Sequence, residues 1–178
     1  MAALTVIGID PGSQRTGWGV VREVSGVLAL VECGVVRTAS GRADEDGAPA
    51  SGFSRRLARI YHELGEVLAR YRPDQAAMEQ VFTARNAASA LKLGQARGAA
   101  VAACAAAGLD VADYAPTLVK KSLVGTGRAE KEQVAFMVRR LLNVRSEAAE
   151  KWPLDASDAL AVAICHLGMR RFAALSGR

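Results

Sequence analysis

Thr5-Val6-Ile7-Gly8-Ile9-Asp10-Pro11-Gly12-Ser13-Gln14 is the stretch that decides the fold. The apolar run from Thr5 to Ile9 has the length and β-branched content of a buried strand, and Asp10 ends it at the turn Pro11 to Gln14. A second β-rich run, Gly17 to Val24, leads through the turn Ser25-Gly26 into a third, Val27 to Arg37. The chain therefore opens as three antiparallel strands, with the strand ends at Asp10 and Gly17 facing each other across a short loop.

Beyond this hairpin region the periodicity changes. Leu57, Ile60, Tyr61, Leu64, Val67, Leu68 and Tyr71 fall at three- and four-residue steps, predicting a helix from Ser54 that Pro73 ends. Ala76 to Val81 reads as a short central strand, and Ala87 to Ala107 as an Ala-rich helix, stopped by Gly108, whose small residues suit close packing on a sheet. Val111 to Tyr114 gives a fifth strand and Pro116 opens a short helix. Two amphipathic helices, Glu130 to Leu142 and Asp155 to Met169, complete the chain around a polar connector from Asn143 to Pro153. The order of elements predicts one three-layer α/β domain over residues 1–178, with a mobile loop at 38–52 and a flexible tail at 170–178.

Composition narrows the function. The chain has 178 residues, 51% hydrophobic and 23% charged, which is enough for one core and too apolar for disorder. Cys33, Cys104 and Cys165 form no C-x-x-C pair, so neither a zinc site nor a disulfide framework is encoded; buried, reduced thiols of a cytoplasmic protein are expected. Neither a secretion signal nor a membrane span is predicted. A net charge of +5 favours a polyanionic partner such as nucleic acid.

Four acids stand out against apolar neighbours, where a carboxylate costs free energy unless a cation compensates it. Asp10 ends the first strand and Glu79 lies near the end of Ala76 to Val81; if those strands are adjacent and parallel, the two acids meet. Asp155 and Asp158, spaced i, i+3 at a helix start, share one face near the positive end of the helix dipole. Either aspartate alone reads equally as a helix N-cap, and Asp10 alone as a turn residue; the conjunction of all four points to a metal site. All-oxygen ligation selects a hard cation, Mg²⁺ or Mn²⁺, and two such ions form the clamp used in phosphodiester hydrolysis. With those four set aside, 23 basic residues face 14 acidic ones, so a metal-filled centre would sit within a basic surface.

Several motifs then carry a family resemblance. Ile7-Gly8-Ile9-Asp10-Pro11-Gly12-Ser13, Glu79-Gln80-Val81-Phe82, Ala90-Leu91-Lys92-Leu93-Gly94-Gln95-Ala96-Arg97-Gly98, Ala129-Glu130-Lys131 and Asp155-Ala156-Ser157-Asp158-Ala159-Leu160-Ala161 resemble, in order, the RuvC family of Holliday junction resolvases. The resemblance runs from Leu4 to about His166. It implies an RNase H-like fold with a mixed five-stranded sheet and helices on both faces, a bacterial homodimer, metal-dependent paired nicking of four-way DNA junctions, and a branch-migration motor complex as partner. By position it makes Asp10, Glu79, Asp155 and Asp158 the catalytic acids, Phe82 an aromatic at the junction crossover, and Lys120 and Lys131 basic residues near the scissile phosphate. Arg85, Lys92 and Lys121 are further candidates for phosphate contact. The chain departs from the family in its longer acidic loop, Ala43 to Ser51. His166, two turns beyond Asp158, is expected to be structural.

Three other readings compete. Gly8-Ile9-Asp10-Pro11-Gly12 also looks like the phosphate loop of actin-like ATPases, but those hold nucleotide between two such domains and this chain supplies one, without a Walker-type sequence. A single-domain RNA-processing nuclease of the same fold is the second. A non-catalytic junction-binding module is the third, opposed by four negative charges that would face phosphate.

Overall fold

The computed structural model describes residues 3–38, 52–80, 86–144 and 152–177. Five strands, β1 (Leu4–Asp10), β2 (Arg15–Val24), β3 (Val27–Arg37), β4 (Gln75–Glu79) and β5 (Val111–Tyr114), form one mixed sheet in the order β3-β2-β1-β4-β5. β1, β2 and β3 pair antiparallel, while β4 runs parallel to β1 and β5 parallel to β4. The helices are α1 (Phe53–Tyr71), α2 (Ala87–Ala106), α3 (Pro116–Val124), α4 (Lys131–Leu141) and α5 (Leu154–Leu175).

Strand alternation divides the core into two layers. Ile7, Ile9, Val20, Ala76 and Met78 pack with Ile60, Leu64 and Leu68 of α1 and Ala96, Ala100 and Cys104 of α2. On the other face Val6, Val21 and Ala77 pack under α5, which α3 and α4 cover with Val119, Leu123, Val134 and Val138. Each fully buried Ile or Leu contributes about 1.5–3 kcal/mol. From Ala156 to Leu167 every α5 residue except Asp158 is buried, which explains why this helix is apolar all round rather than amphipathic.

The structure adjusts four expectations. β2 begins at Arg15, before Gly17, because its ladder with β3 extends to the Arg15–Arg37 pair. β4 ends at Glu79, short of the expected Val81, which lies outside the described residues. α2 packs chiefly on α1. Where the sequence predicts a tail from residue 170, α5 continues helical to Leu175, and Arg171 pairs with Glu23. Residues 39–51, most of the expected loop, lie outside the described residues, as do 145–151 of the connector.

His166 joins the layers. Its Nδ1 is 2.8 Å from the Tyr114 hydroxyl and its Nε2 2.9 Å from Gln75 Oε1, tying α5 to β5 and β4. Burial, then the Arg170 charge, lower its pKa and keep the ring neutral. Cys104 and Cys165 are buried, Cys33 is partly buried, and all three are free thiols. No helix among the described residues is long and apolar enough to cross a membrane.

Candidate active site

Parallel pairing brings the C-terminal ends of β1 and β4 to the same edge of the sheet. Gly8 pairs with Ala77, and two residues further on each strand stand Asp10 and Glu79, on the face that α5 covers. The start of α5 lies over the same edge and delivers Asp155 in its first turn and Asp158 one turn later. From the opposite side come Lys120 of α3 and Lys131, the first residue of α4. Asp10, Glu79, Asp158, Lys120 and Lys131 line one cleft of about 330 Å³, walled by Pro116, Val119, Val134 and Ala161. Asp155 is not part of the cleft lining; it lies 3.8 Å from Arg15, and its charge is felt at Asp10.

The charges in this cleft act on one another. Burial, followed by the negative charges of Glu79, Asp158 and Asp155, pushes Asp10 up to about 7, against the opposing pull of Lys131. Burial and then the Asp158 charge also raise Glu79, with Lys131 and Lys120 acting the other way. Lys131 Nζ donates to Asp158 Oδ2 at 3.2 Å, and that carboxylate is the main reason the lysine's pKa rises. Among the described residues no three Asp, Glu, His or Cys side chains stand close enough to make a ready-built ion cage. The acids sense one another at longer range, an excess of negative charge in a partly desolvated cleft that two lysines offset only in part.

Of the residues singled out in the sequence, the structure gathers the four acids, Lys120 and Lys131 at this edge. Lys121 is exposed on α3 outside the cleft lining, and Lys92 is exposed on α2. Phe82 and Arg85 lie outside the described residues. Sequence reasoning missed Arg15, whose signal was a lone cation between the Pro11–Gln14 turn and the strand. Gly17 stands directly opposite Asp10 in the β1–β2 ladder, as the facing strand ends predict.

This arrangement has close counterparts. A family model described as crossover junction endodeoxyribonuclease RuvC matches residues 6–166. The chain belongs to the RuvC family. A crossover junction endodeoxyribonuclease RuvC from Oleidesulfovibrio alaskensis is 64% identical over 173 residues, covering 97% of this chain and 96% of the relative. The structure of Thermus thermophilus RuvC superposes with a TM-score of 0.79 at 36% identity, covering 95% of this chain and 96% of that one. The same RuvC in complex with Holliday junction substrate gives 0.78 at 35% identity, with the same coverage. The mixed five-stranded sheet with helices on both faces is thus the RNase H-like fold of RuvC. The likeness spans both strands and the helix that carry the four acids.

Proposed function

We propose that this chain resolves four-way DNA junctions, hydrolysing one phosphodiester in each of two symmetry-related strands during recombination and repair. The observation that carries the reading is the single cleft in which Asp10, Glu79, Asp158, Lys120 and Lys131 meet, in a chain of the RuvC family with 35% identity to a RuvC bound to Holliday junction substrate.

Asp10, Glu79, Asp155 and Asp158 would hold two Mg²⁺ or Mn²⁺ ions. The fit is chemical: an all-oxygen donor set suits hard cations, and the raised Asp10 and Glu79 mark a cleft short of positive charge. When bound, such ions supply Lewis acidity to the scissile phosphate and a hydroxide at neutral pH. The chain's own residues do the rest. Lys131 restrains Asp158 and, with Lys120, presents fixed positive charge to a phosphate entering the cleft. The apolar wall of Val119, Val134 and Ala161 limits water. Phe82 is proposed as the aromatic that stacks at the crossover, with Arg85, Lys92 and Lys121 as phosphate contacts. The working form is a homodimer in the bacterial cytoplasm, acting beside a branch-migration motor complex.

The test is a synthetic four-way junction, end-labelled on each strand in turn and incubated with Mg²⁺, Mn²⁺ or EDTA. Ligatable nicks at symmetric positions, in metal only, are expected. Preferential cutting of structured RNA would replace the reading by RNA processing. Tight junction binding with no cutting in either metal would make the chain a binding module.

A further inference from the structure

We infer that Gly17 is a positioning residue for Asp155: the bare backbone of β2 at this point seats the first turn of α5 against the sheet, directly opposite Asp10. The inference rests on the metal-dependent reading above and deepens it by naming what sets one ligand's place.

A Cβ added at Gly17 would fall 1.9 Å from the Asp155 carbonyl oxygen, 2.5 Å from its carbonyl carbon and 3.2 Å from Ala156 N. These are backbone atoms of α5, so no rotamer change relieves them; the helix itself would have to move. Conformation does not ask for glycine here, because Gly17 is absent from the positive-φ glycines and sits in a regular antiparallel ladder. Glycine weakens a strand interior, so its presence marks the close approach of another backbone. The ladder pairs Gly17 with Asp10, so the residue that carries Asp155 is stacked on the cross-strand neighbour of Asp10.

Two similar positions lie further under the helix. A Cβ at Gly8 would fall 2.0 Å from Ala159 O, and one at Gly19 would fall 2.5 and 2.6 Å from Leu160 Cδ2 and Cγ and 3.2 Å from Leu160 N, so its closest contacts are with a side chain. Gly17 differs because it lies under the end of α5. That end has no side-chain cap and is closed by Ala156 N and Ser157 N donating to Pro153 O at 3.0 and 3.2 Å. With no cap to fix it, the first turn takes its height above the sheet from the Gly17 contact.

The experiment compares Gly17→Ala, Gly19→Ala, Asp155→Glu and the double variant Gly17→Ala/Asp155→Glu in the full chain. The readouts are Mg²⁺ titration by thermal shift and nicking kinetics on a four-way junction. Gly17→Ala is expected to weaken Mg²⁺ binding at least tenfold and to lower kcat with KM for junction little changed. Gly19→Ala is expected to lower the metal-free melting temperature while keeping Mg²⁺ affinity within about twofold. Asp155→Glu alone should overshoot and weaken Mg²⁺ binding, whereas in the Gly17→Ala background its extra methylene should restore most of the loss. Unchanged Mg²⁺ affinity in Gly17→Ala, or no restoration by glutamate, overturns the inference. Should Gly17→Ala not fold, Asp155→Glu alone decides: glutamate binding Mg²⁺ as tightly as aspartate means the first turn has free play and the inference is wrong. Failure of the metal reading itself looks different, since the unsubstituted chain would then show no Mg²⁺ shift.

Discussion

Lys131 Nζ donates to Asp158 Oδ2 across 3.2 Å, a contact between the first residue of α4 and the second turn of α5. The start of α4 is fixed by Glu130 N–H donating to Gln133 Oε1 at 2.8 Å, so the lysine is presented from an anchored helix end. Its positive charge opposes the upward shifts of both Asp10 and Glu79. Lys131→Gln keeps a hydrogen-bond donor and removes the charge. It is expected to slow cutting by roughly 10²–10³-fold, as for loss of one transition-state donor, with junction binding changed far less. Single-turnover nicking beside a gel shift checks this, and parallel losses in both would give Lys131 a binding role alone.

Asp10→Asn is expected to abolish cutting and leave junction binding intact or tighter. The substitution removes a charged oxygen ligand and at the same time lowers repulsion toward phosphate. Binding in EDTA and nicking in Mg²⁺ are measured on the same preparation. Loss of both would make Asp10 a structural strand-end residue.

The same aspartate gives the metal-free protein a pH signature. Its carboxyl is raised from an ordinary value of 3.8 to about 7 in the folded chain. Between those values the folded state holds a proton that the unfolded state has released, so stability falls as pH rises from about 4 to about 7 and levels off above. Each tenfold difference in proton affinity between the two states is worth about 1.4 kcal/mol, which puts the loss on the order of a few kcal/mol. Chemical denaturation in EDTA from pH 4 to 8 should show this decline in the native chain, a shallower one in Asp10→Asn, and relief on adding Mg²⁺. A profile unaffected by the substitution would mean that Asp10 is ionised throughout.

His166 acts with the opposite sign. Burial and Arg170 lower its pKa in the folded chain, so its contribution is present above the ordinary histidine range and is lost as pH falls below it. His166→Leu leaves the Tyr114 hydroxyl and Gln75 Oε1 without their partner, at a cost of about 1–3 kcal/mol. Cutting at pH 8 by the folded variant is expected to stay near the native rate. A large loss of cutting with unchanged melting would place His166 in the chemistry.

The sheet and the acids were legible because each breaks a local pattern. Asp10 and Glu79 interrupt apolar strands, and Asp155 and Asp158 share a helix face in the i, i+3 relation. Arg15 and the contact of Gly17 with α5 were not, since both depend on which helix lies over β2, and strand periodicity carries no information about that. The end of α5 was hidden for a similar reason. Phe172 and Leu175 are exposed, so residues 170–175 show no buried stripe, and the ion pair there joins Arg171 to Glu23 across most of the chain. Lys92 and Lys121 read from sequence much like Lys120, but only the last turns into the cleft.

A four-way junction is itself a two-fold object, and resolving it into two intact duplexes needs nicks at two symmetry-related phosphates. A C2 homodimer carrying two copies of this cleft supplies both with matched geometry, where a monomer would have to rebind. Helix α2 is the proposed contact. Ala96, Ala100, Ala103 and Cys104 face the α1 layer, while Leu91 remains 65% exposed near the other end of the helix, apolar surface left open among the described residues. Leu91→Glu is therefore expected to shift sedimentation toward monomer, with folding retained because the side chain lies outside the core. Mixing native subunits with Asp10→Asn subunits tests the paired sites on a supercoiled cruciform plasmid. Heterodimers hold one competent cleft and should nick one strand without linearising the plasmid. As the Asp10→Asn share rises, linear product should fall with the square of the native fraction while nicked circles accumulate. Linearisation proportional to the native fraction, or monomer alone on the junction, would mean that each cleft cuts independently.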